Sequence, residues 1–399
     1  MTRIATLRVA VRRFGPFENA IALQFADFCA ATGIRAQLET EVFDLNPLHQ
    51  AAIADRGLAD GRFDIALLCT DWLAEAVAAG AIENLDPWLA QAPPADFPEG
   101  WAPSLLSLQR FGGGFWGMPY HDGPECLVYR KDLLAAAGLA VPATWDAFHT
   151  AARALTDRAR GVHGTGLALY PDGHNGFYDF CIHIWSRGGE PFDRTGHPDF
   201  TSPQAHAALD FIRQLARDDT AIAPDATATD SVQSGMKFAR GEIAMMANWF
   251  GFAAYADTAA DSAVRGLVDV APLPAGPGGH SVSLNVFWVL AMGSGAVAKQ
   301  LAWDFMRHCA GPAMDLVTAE QGAIGARRST WRDAAINAAI PYYHRLDWLH
   351  DHARAMPVTP RLAHLSHVVD TLIAQAVTSD IPTADLLARA QAAATGAGL

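Results

Sequence analysis

Apolar positions in the first ninety residues switch between a period of two and a period near 3.6, which predicts alternating strands and helices. Residues 6–11 (TLRVAV) read as a first strand. An amphipathic helix is expected over 19–32, with Ile21, Phe25 and Phe28 at i, i+4 and i+7 and Gly33 placed to end it. A second strand follows at 36–42, a second helix at 49–60 and a nearly all-apolar third strand at 63–69 (FDIALLC). The next helix covers 72–79 and stops at Gly80. This order at this spacing predicts a three-layer α/β lobe on a mainly parallel sheet, because parallel neighbours need helical crossovers. The first strand runs into RRFGPFEN and not into a Gly-x-Gly-x-x-Gly turn, which argues against a dinucleotide-binding unit.

Beyond a Pro-rich break at 92–103, a strand is expected at 126–129 and a helix at 131–137 closed by Gly138. A helix at 145–155 has Thr144 as its N-cap, and a strand follows at 165–169. Residues 170–189, aromatic and Gly-rich, read as a loop and helix lining a cleft. Ala205, Leu209, Ile212 and Leu215 stripe a helix at 202–217. The pattern continues with a helix at 229–238, a strand at 243–248 ending in Trp249, and a strand at 267–271 leading into PLPAGPGG. A strand at 286–292 and helices at 298–309 and 312–321 come next; from Trp331 the chain is helical apart from PVTPR. The fold class is α/β with more than one domain.

A chain of 399 residues is long enough for two hydrophobic cores. Although 51% of it is apolar, no run approaches the roughly 20 residues that span a bilayer, so a soluble protein is expected. A formal charge of −13 without a Lys/Arg block argues against nucleic acid as a partner. Cys29, Cys69, Cys126, Cys181 and Cys309 are odd in number and unpaired in spacing; Cys29, Cys69 and Cys309 lie in apolar runs and are expected as buried thiols. Cys181-x-His183 and His350-x-His352 lack further ligands at a known spacing, so neither a metal nor another cofactor is expected. The opening MTRIATLRVAVRRFG enters a strand pattern at once and shows no apolar targeting core with a cleavage site.

Five blocks in order resemble bacterial family 1 extracellular solute-binding proteins, the maltose-binding-protein-like sugar receptors of ABC importers. They are FDIALLCTDWLAEAVAAGAIENLDPWL, GMPYHDGPECLVYRKDLLAAAGL with Pro142-x-x-Trp145, MKFARGEIAMMANWF, VDVAPLPAGPGGHSVSLNVFWVLAM and GAIGARRSTW. The resemblance covers essentially the whole chain. It implies a type II periplasmic-binding-protein fold with two discontinuous lobes, 1–118 plus 272–326 and 119–271 plus 327–399. Crossings near 118, 271 and 327 form the hinge. It further implies a monomer in the periplasm or at the cell surface, with any targeting segment removed. Such a receptor closes on a sugar or sugar derivative and presents it to permease subunits in the membrane.

Trp288 is the first residue expected to meet the ligand, since an indole can cover the C–H face of a sugar; a core Trp is the alternative. Trp249 would form the opposing aromatic wall, with Phe250 beside it, and Asn285 lies near Trp288 in sequence. Asp71 follows an apolar strand where α/β sheets expose their ligand-facing edge; it either accepts sugar hydroxyls or caps the next helix. His121 and Asp122 follow the first crossing. Arg13 and Arg328 are candidates for ligand oxygens, whereas Arg12 and Arg327 are expected as solvated surface charges. Together with His121, two arginines would suit an acidic or sulfonated glycoside, and a polyol is a further alternative. Among Asn175, Tyr178 and Trp185, one is expected to reach the ligand. The rival from another class is a carbohydrate hydrolase or lyase using Asp71, Asp122 and Glu125. No nucleophile elbow, zinc-protease, Walker or kinase motif appears, so no catalytic residue is assigned.

Overall fold

The computed structural model describes residues 4–396; the outermost residues of the two expected lobes, 1–3 and 397–399, and the first three positions of the opening segment lie outside the described residues. By its internal contacts the chain divides into two compact units. The first is Met1–Gly123, Asn285–Asp347 and Val358–Pro360; the second is Pro124–Leu284, Trp348–Pro357 and Arg361–Leu399. The divisions after Gly123, Leu284 and Asp347 fall further along the chain than the expected crossings near 118, 271 and 327. Local pairing accounts for this: the Met118–His121 strand is hydrogen-bonded to Trp288–Met292, Ser283 and Leu284 pair with Ala353 and Arg354 of the second unit, Trp331 Nε1 donates to Gly325 O at 2.7 Å, and Gly325 N donates to Tyr343 Oη at 2.9 Å.

The first unit is built on a five-stranded sheet in the order Ala36–Phe43, Ala5–Arg12, Ile65–Cys69, Trp288–Met292, Met118–His121. The first three strands run parallel. The fourth is antiparallel to both neighbours, so the sheet is more mixed than the expected one. Every residue of Ile65–Cys69 is buried, as a two-sided central strand requires. The helix Gly15–Thr32 starts before residue 19 because Pro16 suits a first helical turn, and Gly33 ends it with φ +70 and an N–H bond to Cys29 O. The helix expected at 49–60 is instead a short α-helix, Leu45–His49, running into a π turn, Gln50–Ala54. Gly57 N reaches Ala51 O at 3.1 Å and Leu58 N reaches Ala52 O at 3.1 Å, wider loops than an α-helix closes.

The second unit carries a four-stranded sheet in the order Val268–Ala271, Glu125–Arg130, Ile243–Trp249, His163–Thr165. Only its last pair is parallel. The strand expected at 165–169 ends at Thr165, because Leu169 N and Tyr170 N turn to Ala226 O and Thr229 O. Thr144 caps Trp145–Leu155, its hydroxyl accepting Ala147 N at 3.2 Å. The helix Asn175–Trp185 is buried almost throughout and packs against Pro203–Ala216 and Leu362–Thr378. Arg213 fastens the tail, donating to Ala376 O and Ile381 O at 2.7 Å. All five cysteines are free thiols; Cys69, Cys126, Cys181 and Cys309 are buried, while Cys29, on the outer side of its helix, is only half-buried. No helix among the described residues is long and apolar enough to cross a membrane.

Candidate functional site

In the first unit, three strands bring chemistry to one sheet edge. Cys69 ends its strand, Trp288 starts the antiparallel neighbour opposite it, and His121 lies opposite Trp288 on the other side. Two hydrogen bonds seat this edge: Thr70 N donates to Phe287 O at 2.9 Å, and Phe287 N donates to the Thr70 hydroxyl, Oγ1, at 3.2 Å. The Trp288 indole is half-buried and meets Phe17 and Trp72 edge-on, with centroids 6.0 and 5.8 Å apart. Trp72 is met in turn by His49 at 5.1 Å, whose Nε2 lies 2.9 Å from Glu75 Oε2. Such edge-to-face contacts set the orientation of an indole.

His121 accepts the Ile324 N–H at Nδ1, 2.8 Å away, which puts the proton of the neutral ring on Nε2. Burial pushes its pKa down to about 4, against a smaller upward effect of the Asp122 charge. At neutral pH the ring is therefore an uncharged donor. Asp122 N donates to Ile324 O at 3.0 Å, completing a two-way tie, and its side chain is buried. Asp71 sits half-buried in the Thr70–Trp72 turn beside Cys69; burial first, and the Asp71 charge second, push the Cys69 thiol up. Asn285 is buried and its Nδ2 donates to Ser104 O at 3.1 Å.

The candidate arginines lie beside acids. Arg13 is exposed and its Nε lies 3.1 Å from Asp44 Oδ1. Arg328 Nε lies 3.8 Å from Asp347 Oδ1, and Arg328 N donates to Gly100 O. Two expected surface charges are corrected. Arg12 is largely buried, 3.6 Å from Asp44, with its Nη1 donating to Arg13 O. Arg327 is only 1% exposed. It lies over Trp101 at 4.2 Å and donates to Ala310 O and Ala95 O, because the chain behind it folds back onto Asp315.

In the second unit, Asn175, Tyr178 and Trp249 come together. Trp249 Nε1 donates to Asn175 Oδ1 at 3.2 Å, and the Tyr178 ring stands edge-on to the indole at 5.9 Å and 89°. Asp172 accepts from Asn175 Nδ2 at 2.9 Å and from the backbone N–H of His174 and Asn175. Phe250 is fully buried, its N–H on Pro124 O, and Phe287 is buried in the first unit. Trp185 is buried under Arg354, which pairs with Glu190. Glu125 and Asp179 share a side-chain hydrogen bond; burial and their mutual proximity push Glu125 well up, and burial and Asp172 push Asp179 to about 7.

Sequence reasoning passed over Trp72, Phe17, His49 and Asp172. Only Asp172 left a local signal: an acid three residues before the first helical residue, bonding forward to the N–H groups of the turn. The contacts of Phe17 and His49 join separate segments and leave none.

The family model for bacterial extracellular solute-binding proteins matches residues 17–315. A probable ABC transporter-binding protein of Deinococcus radiodurans is 26% identical over 288 residues, 71% of this chain and 68% of that protein. A mannitol-binding protein of Pseudomonas aeruginosa is 24% identical over 381 residues, 89% of this chain and 84% of its own length. The solved structure of a maltose-bound MalE3 from T. maritima shares the fold, with a TM-score of 0.86 at 22% identity, covering 98% of this chain and 99% of that one.

Proposed function

The chain belongs to the bacterial extracellular solute-binding proteins, and from that membership we propose that it captures a neutral sugar or polyol and delivers it to the permease of an ABC importer. The observation that carries the ligand's neutrality is His121, held by Ile324 as an uncharged donor beside the half-buried Trp288. The cations that would favour an acidic or sulfonated glycoside, Arg13 and Arg328, already face Asp44 and Asp347. A hydroxyl-rich ligand needs what remains: an indole face, a neutral donor and carboxylates that accept hydroxyl hydrogens. The mannitol-binding and maltose-bound relatives favour the same class.

In this reading Trp288, His121, Asp71, Asp122 and Asn285 of the first unit and Trp249 and Tyr178 of the second meet the ligand, with Arg13 and Arg328 at the margin, Asn175 holding the Trp249 indole and the buried Phe250 next to it in the chain. Capture of the ligand shifts a pre-existing equilibrium toward the conformation that the permease recognises. The protein acts as a monomer in the periplasm or at the cell surface and breaks no covalent bond.

Thermal unfolding against mannitol, maltose, neutral monosaccharides and their uronic or sulfated counterparts tests this. A neutral ligand at about 100 times its Kd should add roughly 2.7 kcal/mol, and it should be recovered unchanged. Preference for a charged glycoside, or appearance of a cleavage product, overturns the reading. Trp288→Ala should weaken binding of the selected ligand at least about tenfold in calorimetry, the loss of one aromatic face. Affinity within twofold of wild type would remove Trp288 from the site.

A further inference from the structure

We infer that Asp172 and Asn175 are positioning residues that fix the Trp249 indole before ligand arrives, so that this tryptophan presents its face and not its N–H. This rests on the proposal that Trp249 meets the ligand. Hydrogen-bonding capacity decides the arrangement. An indole N–H can only donate and an ionised carboxylate can only accept. Asn175 lies between the two, 3.2 Å from Trp249 Nε1 and 2.9 Å from Asp172 Oδ2. One orientation of the amide alone satisfies both: Oδ1 toward the indole and Nδ2 toward the carboxylate. Asp172 therefore dictates which way Asn175 faces, and Asn175 dictates where the indole N–H points.

The relay is anchored at each end. Asp172 Oδ1 accepts the N–H groups of His174 at 2.9 Å and Asn175 at 3.2 Å, which fixes the turn that opens the Asn175–Trp185 helix. Gly173 N in that turn donates to Asp370 Oδ2 at 2.9 Å, on the Leu362–Thr378 helix. At the other end, Trp249 N donates to Asn248 Oδ1 at 2.8 Å, and Asn248 Nδ2 donates to Ser231 O at 3.0 Å. Tyr178, one turn along from Asn175, braces the ring edge-on. A half-buried indole held on these sides loses little rotamer freedom when a ligand settles on it, which is where preorganisation raises affinity. With Nε1 occupied, ligand hydroxyls must find their partners elsewhere, and Trp249 rewards an apolar C–H face only.

A double-mutant cycle separates positioning from direct contact. Asn175→Leu should weaken binding of mannitol or maltose, whichever the wild type takes, by about 3- to 10-fold, the range of one hydrogen bond. Asp172→Asn should weaken it in the same direction. In a Trp249→Phe background, which has no indole N–H to orient, Asn175→Leu should change affinity less than about twofold. A loss in that background equal to the loss in wild type would make Asn175 a direct ligand contact and overturn the inference. The ligand-free protein supplies an independent reading. In 15N-tryptophan-labelled protein, the indole resonance that vanishes in Trp249→Phe should move in both Asn175→Leu and Asp172→Asn. An unmoved resonance overturns the relay. If neither mannitol nor maltose binds the wild type, their capture fails while the resonance still decides the relay.

Discussion

Replacing Asp315 by alanine should cost the first unit about 3–5 kcal/mol, because several buried donors lose their acceptor at roughly 1–3 kcal/mol each. Asp315 is 4% exposed on the helix Pro312–Glu320. Its carboxylate accepts Ala326 N at 2.8 Å, Arg327 N at 3.1 Å and the Thr330 hydroxyl at 2.6 Å. Its charge also offsets the burial of the Arg327 guanidinium, which burial otherwise pulls below its ordinary pKa. A Cβ on Gly325 would run into this carboxylate, so the close approach is written into the sequence as glycine. Alanine leaves three donors without an acceptor and takes from the nearly inaccessible Arg327 cation one of two nearby acids, the other being Asp96 at 3.4 Å from Nη2. Asp315→Asn keeps the volume and one acceptor and should cost roughly half as much. Chemical denaturation checks both, and a loss under about 1 kcal/mol in Asp315→Ala would show that the loop finds other partners. Binding should suffer too, because the 322–328 segment is what holds His121 and Asp122 through Ile324.

What the chain betrays in advance follows from how local each cause is. FDIALLC reads as a buried strand because its burial is two-sided along its length, and residues 145–155 read as a helix because their cap lies next to them. The π turn at Gln50–Ala54 leaves no periodicity of its own, and its wide loop depends on where Gly57 and Leu58 send their N–H groups. Trp288 could be singled out from its place at the start of an apolar strand. That His121 is a neutral donor could not, since the N–H that fixes its proton lies 203 residues away. Arg327 shows the same limit. Next to Arg328 in a polar stretch it looks like a surface charge, and only folding back onto Asp315 and Trp101 buries it. The Asn175–Trp249 bond spans 74 residues, so both residues could be nominated for the ligand, yet the bond between them could not be foreseen.

The second unit should lose stability as pH rises through neutrality, and Asp179→Asn should remove much of that loss. Burial, then the charge of Asp172, raise the Asp179 pKa to about 7, with the Glu125 hydrogen bond opposing. Burial is also the main cause of the rise of Asp370 to about 6, with Gly173 N–H opposing and Asp172 adding. Unfolded, either carboxyl releases its proton near 3.9. The folded chain therefore holds protons that the unfolded chain has released, and stability declines with pH across that interval. The contribution is fully present below about pH 4 and is lost as pH passes about 6 for Asp370 and about 7 for Asp179. His121 works in the opposite sense in the first unit: with a folded value near 4 against about 6.5 unfolded, it adds stability as pH rises through that window. His121 is unchanged in Asp179→Asn, so the difference between the two proteins in urea unfolding between pH 6.5 and 8.5 isolates the Asp179 carboxyl. Asp179→Asn, neutral at every pH and still able to donate to Glu125, should gain on wild type over this range and exceed it at pH 8.5. A difference between the two proteins that stays constant over this range, or a variant weaker than wild type at pH 8.5, would mean that Asp179 is not the group whose proton the folded protein holds.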